Sequence, residues 1–232
     1  MRSYRDGWST AAVGVALALA SGVAACGSSE DPLASKPAAA ILAASTNAVA
    51  HATSVHVHSD LSSGKSTGTL DLYLAGNGGR GRITLLGNTE EILRLGNSLY
   101  VKGSARFDEG LERTTSTRVP RGVWIKVPAN SRRLPQFGAA TRMGTELRLL
   151  LASDGQPTKL ATTAIKGQRT VALREAETRT SSRIRYIAAT GTPYPLEILK
   201  QGHEHGEISF TDWNQPVSLT PPRNAVEVPP LR

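Results

Sequence analysis

The chain has 232 residues, 39% of them apolar and 5% aromatic, with 27 basic against 19 acidic side chains and a formal net charge of +8. Its single cysteine excludes an internal disulfide framework, so a stable fold has to come from a hydrophobic core. The basic balance favours anionic surfaces as neighbours, although a solubilising role for the arginines accounts for it equally.

Arg2 and Arg5 precede an uncharged run over 11–25, AAVGVALALASGVAA. A hydrocarbon core needs roughly 20 apolar residues to be crossed, so this run is too short for a span. Its length, basic flank and small final residues match the h-region of a signal peptide. Val23-Ala24-Ala25-Cys26 follows, and resembles the lipobox of bacterial lipoproteins, where an aliphatic and two small residues admit the peptidase. The expectation is a signal peptide over 1–25, lipid on the Cys26 thiol, and anchoring to the extracytoplasmic face of the cell membrane. Several acyl groups on one residue would give the two-chain attachment that stable anchoring requires. An ordinary leader with an incidental cysteine is the alternative. Export argues against nucleic acid as a partner.

Residues 26–36 read as the lipidated cysteine and a polar, flexible tether. Pro37 suits the first turn of a helix. Ile41, Leu42, Ser45 and Val49 at helical spacing then predict a helix from about 37 to 52. Beyond it the apolar period drops to two. Val55 and Val57 alternate with polar neighbours, as do Leu70, Leu72 and Leu74. Ile83 and Leu85, Leu93 and Leu95, and the run from Leu99 to Lys102 continue the pattern. Gly-Asn and Asn-Gly pairs at 76–78, 87–88 and 96–97 punctuate these runs as hairpin turns. Asp71, between two leucines, is expected to face water without a partner.

The polar stretch 104–122 reads as a long loop, and VWIKV over 123–127 as a short strand stopped by Pro128. Met143, Leu147, Leu150 and Leu151 predict a second amphipathic helix that closes near Asp154-Gly155. Alternation resumes with Val171 and Leu173, Ile184 and Tyr186, Leu196 and Ile198, and Ile208 and Phe210. The proline-bearing tail from Pro216 is expected to be extended. This order predicts one α+β domain over 37–232: a one-sided antiparallel sheet with helices on its apolar face.

Three patterns invite an enzymatic or metal reading. Gly64-Lys65-Ser66-Thr67-Gly68 spells the G-x-S-x-G of a nucleophile elbow, with Asp154 and His203 following in hydrolase order. It lies between two alternating runs, however, where a hairpin turn is expected instead of a strand-to-helix elbow. The same residues fail as a phosphate loop because Ser59 stands where the first glycine belongs. Ser62-x-x-Lys65 lacks the S-D-N and K-T-G partners of penicillin-binding enzymes. His56-x-His58 and His203-x-His205 could hold a transition metal if their strands adjoin. The second pair reads more simply as a hairpin tip, and the first lies on the polar side of its strand. No cofactor is indicated.

Several segments, in order, resemble the actinobacterial LppX/LprG-like lipoproteins. They are PAAAILAASTNAVAHATSVHV, GTLDLYL, EILRLGNSLYVKGS, GVWIKVP, GTPYPLEILK and ISFTDWNQPVSLTPP, within about 38–222. The resemblance implies a LolA-type half-barrel: a single strongly curved antiparallel sheet with helices across its concave face, enclosing a hydrophobic cavity. It implies no catalytic residues. The cavity would bind the acyl chains of a membrane lipid or glycolipid, for transport or presentation, with an export transporter as a further partner. The side chains expected to line it are Ile41, Leu42 and Val49 on the first helix, and Leu147, Leu150 and Leu151 on the second. From the sheet come Val55, Val57, Leu70, Leu72, Leu74, Ile83 and Leu85. A sheet and two thin apolar helices can equally pack into a filled core, leaving a membrane-anchored interaction or sensor module.

Overall fold

Short turns between alternating runs leave a chain little choice but to fold back on itself, and the first half does so repeatedly. The computed structural model of the protein describes residues 32–115, 120–132, 134–152 and 155–228. β1 (Ser54–Ser63), β2 (Ser66–Ala75), β3 (Gly78–Leu85), β4 (Asn88–Leu95) and β5 (Ser98–Lys102) form an antiparallel meander. β6 (Ile125–Pro128) extends it, so Pro128 is the last residue of that strand and the strand starts at Ile125, not at Val123. At the β3–β4 turn Leu86 and Gly87 both take positive φ, 49° and 76°. That is the pattern of a type I′ turn, whose twist matches its flanking strands.

The second half builds β7 (Thr158–Lys159), β8 (Thr163–Ile165), β9 (Gln168–Ala176), β10 (Ser182–Ala188), β11 (Pro195–Gln201) and β12 (Glu204–Thr211). β12 pairs with β1, with Val57 opposite Phe210, and this fuses both halves into one 13-stranded sheet. β13 (Val226–Glu227) joins β6 in parallel; the other pairings are antiparallel. The result is one large, open, curved sheet with a few helices, an α+β half-barrel.

Among the described residues four helices cover the inner face: α1 (Ala38–Ala50), α2 (Ala105–Thr115), α3 (Pro135–Ala140) and α4 (Met143–Leu151). α2 overturns the loop expected over 104–122. Ser104 caps it by accepting the Phe107 N–H at 3.3 Å, and Leu111 is buried in the core. Phe107 meets Phe137 of α3 edge to face, with ring centroids 5.9 Å apart. Two apolar side chains one turn apart thus seat a helix that is polar elsewhere. α3 begins with Pro135 at its first turn and buries Phe137 and Ala140. At Gly79 an added Cβ would stand 3.2 Å from the Thr141 carbonyl oxygen and 2.7 Å from Leu74. Glycine there lets the α3–α4 corner approach the sheet.

Two apolar clusters hold the layers together. The larger joins Val55, Val57, Leu72, Leu74, Ile198 and Phe210 of the sheet to Phe137, Met143 and Leu147 above them. The smaller joins Ile41 of α1 to Val171, Leu173, Ile187 and Ala189, with Leu42 packed beside them. Two strands have the opposite phase from the one expected. On β4 it is Ile92 that joins the main cluster, opposite Gly81, while Leu93 is buried outside it beside Tyr100. On β10 Arg185 and Ile187 are the buried positions of the inner face; Ile184 and Tyr186 are only partly buried, on the other face, where Ala188 at the strand end is buried.

Candidate functional site

α1 is seated in the smaller cluster through Ile41 and touches the larger through Val49, α4 is seated in the larger, and between the two helices the chain leaves a cleft of about 530 Å³. Ligand sites commonly measure about 300–1,000 Å³. Val49 of α1 faces Leu147 and Leu151 of α4 across it, and Met143 adds a flexible apolar wall. Ser45, Ala50, Ala52, Gly76 and Gly144 are small, so they cover the walls without filling the space. Arg185 of β10 and Arg148 of α4 are the charged residues in the lining.

Arg185 is nearly inaccessible, at 2% exposure. It donates to Glu175 Oε2 at 3.2 Å and to the Leu151 carbonyl at 2.9 Å. Its Nε, and Glu175 Oε1, are buried with no hydrogen-bond partner among the described residues. Burial lowers the pKa of the guanidinium below the ordinary arginine value, and Glu175 opposes that shift. Arg183 donates to the Ala152 carbonyl at 2.5 Å and to Glu177 Oε1 at 2.7 Å. Two guanidiniums from one strand therefore bind the last carbonyls of α4, where a helix leaves acceptors unpaired and its dipole favours cations. Sequence reasoning missed both. The available signal was the continuation of the Arg183, Arg185 phase into Ile187 and Ala189.

A second inner-face pocket of about 270 Å³ lies where the sheet extends beyond the helices. Leu61, Leu70, Ile83 and Leu85 line it, with Ser59 and Gly68. Leu85 is 56% exposed at its rim, beside Leu86 at 55%. Elsewhere the sheet's inner face is filled: Val55, Val57, Leu72 and Leu74 have no exposed surface.

The expected lining residues therefore separate into groups. Val49, Leu147 and Leu151 meet at the cleft. Leu70, Ile83 and Leu85 meet at the second pocket. Val55, Val57, Leu72 and Leu74 lie in the main cluster, with Leu150 packed against it; Ile41 and Leu42 belong to the smaller cluster. Cys26 lies outside the described residues.

The G-x-S-x-G segment is the β1–β2 hairpin, with Ser66 paired to Ser63 as the first residue of a strand. Asp154 lies outside the described residues. Gly202 and His203 form the β11–β12 tip. His58 pairs with Ser209 and His205 with Ser62, so the two stand roughly 13 Å apart along the strands at about 3.3 Å per residue. His56 is already engaged. Its Nε2 lies 2.7 Å from Asp71 Oδ1, its Nδ1 lies 3.1 Å from Thr211 Oγ1, and its ring stacks on Tyr73 at 4.0 Å. Asp71 does face the outer side but has His56 as its partner, contrary to expectation. No group of three metal-ligating side chains occurs among the described residues.

Among solved structures, LprF from Mycobacterium bovis superposes with a TM-score of 0.54 at 16% identity, over 80% of this chain and 96% of LprF. The lipoprotein LppX of Mycobacterium tuberculosis gives 0.51 at 16% identity, over 79% of this chain and all of LppX. The shared feature is the fold, the half-barrel that the ordered segments imply. No protein-family profile matches the chain, and no curated protein matches it significantly.

Proposed function

We propose that this chain is an exported lipoprotein whose half-barrel holds the acyl chains of an envelope lipid or glycolipid in the α1–α4 cleft. The carrying observation is the cleft itself, about 530 Å³ between Val49 on one helix and Leu147 and Leu151 on the other. The fold shared with LppX, a lipoprotein, and LprF supports the reading. In this account residues 1–25 are removed, Cys26 carries the lipid, 26–36 act as a tether, and 37–232 form the binding domain. The anchored domain lifts a lipid from the cytoplasmic membrane and presents it to export machinery. It does so without chemistry, by burying methylenes.

Each methylene withdrawn from water contributes about 0.8 kcal/mol, an increase in affinity of up to about fourfold. Fatty acids from octanoate to palmitate, competed against a fluorescent acyl probe, should therefore bind more tightly as they lengthen. A second reading, a membrane-anchored interaction or sensor module, is favoured by the filled floor of Val55, Val57, Leu72 and Leu74. Failure of every chain length to displace the probe would leave that reading in place.

A further inference from the structure

The charges of the cleft are of one sign. Its lining includes Arg148 and Arg185 and no carboxylate. Lys102, Lys126, Arg183 and Lys200 each pair with a glutamate. Arg148, exposed on α4, has no ion-pair partner among the described residues. Arg185 donates to Glu175 and to the Leu151 carbonyl, yet its Nε–H is left without an acceptor among the described residues. A buried donor without a partner is uncommon in native proteins and calls for an explanation. Glu175 largely offsets the charge of Arg185, so the net positive charge of the lining is that of Arg148, with the Arg185 guanidinium beside it.

We infer that the ligand of this cleft is an anionic amphiphile, with its chain between Val49, Leu147 and Leu151 and its acidic head on Arg148 and Arg185. This rests on the acyl-chain reading above and adds the chemistry of the head. A carboxylate or phosphate presents several acceptor lone pairs to a guanidinium fork, whereas an ester carbonyl presents fewer and carries no charge. Apolar walls lower the local dielectric and strengthen that contact. A cationic head would be repelled.

The chain from residue 27 carries the whole described fold, since every helix, strand and cluster residue lies beyond residue 32. On this protein, oleate, methyl oleate and oleoyl lysophosphatidate are competed against a neutral fluorescent acyl probe, each below its micelle concentration. The two acids should bind about tenfold more tightly than the methyl ester, the effect of one charge-assisted hydrogen bond. Arg148→Gln should abolish that advantage, bringing the two acids to the affinity of the methyl ester in the same variant; Arg148→Lys should keep part of it. Tighter lysophosphatidate would identify a phosphate lipid as the source, and tighter oleate a free fatty acid; either supports the inference. Equal binding of acid and ester by the unaltered protein would overturn the anionic head and leave the acyl-chain reading standing. Binding of none of the three would overturn both.

Discussion

Tryptophan at position 49 and tryptophan at position 72 should have opposite consequences, because one side chain borders open space and the other does not. Val49 lies on α1, partly buried, with the cleft in front of it. Leu72 lies on β2 with no exposed surface, opposite Gly81 in the main cluster. Val49→Trp can place its ring into the cleft without displacing a neighbour, so its stability cost should stay below about 1 kcal/mol. The ring would occupy the volume an acyl chain needs, and each excluded methylene would cost about 0.8 kcal/mol of binding. Loss of three or four methylene contacts would weaken palmitate by roughly two orders of magnitude or more. Leu72→Trp has no such space and should cost about 1–3 kcal/mol by overpacking. For a domain of this size that is a fall in Tm of roughly 2–12 °C. Thermal melts without ligand and probe displacement with palmitate measure the two effects separately. If Val49→Trp melts as low as Leu72→Trp and binds palmitate normally, the cleft is not the acyl-chain site.

Three further changes test other parts of the account. Cys26→Ser should leave an unprocessed, unacylated precursor; a processed Cys26→Ser protein that still partitions into detergent would refute the lipidation assignment. Glu146, buried on α4, has its carboxyl pushed up by desolvation from 4.5 to about 6. The folded state therefore holds its proton more tightly than the unfolded chain, and stability should fall by at most about 2 kcal/mol as pH rises from about 4.5 to 6. Glu146→Gln should match the native protein near pH 4 and melt higher at pH 7.5; parallel pH profiles would contradict this. Arg185→Met alone should cost about 3–5 kcal/mol, because it leaves Glu175 as an uncompensated buried charge. Adding Glu175→Leu should recover much of that loss in urea denaturation, and a strictly additive pair would refute the coupling.

The meander was legible because its signals are local. Leu70, Leu72 and Leu74 alternate with polar residues, glycine-bearing turns bound the runs, and Val57 meets Phe210 as one-sided strands require. β10 misled for a long-range reason. Ile184 and Tyr186 look like its inner face, but Arg183 and Arg185 are drawn inward by the carbonyls of α4, more than thirty positions earlier in the chain. α2 was obscured because Phe107 and Leu111 are too few to give a clear period, although Ser104 three residues before Phe107 is a capping signal. The cleft was not legible in any segment. α1 is seated at its start in the smaller cluster and reaches the larger one, which holds α4, only through Val49, so the gap between the two helices depends on the whole sheet.

The central claim is that the half-barrel holds an acyl chain, and native mass spectrometry of the protein from residue 27, purified from an envelope-bearing host, tests it most directly. The account predicts an adduct of lipid mass that organic extraction releases as an acyl-bearing, acidic molecule, and that Val49→Trp loses while still folded. A folded protein that is always free of lipid, and that takes up none when incubated with oleate, would contradict it.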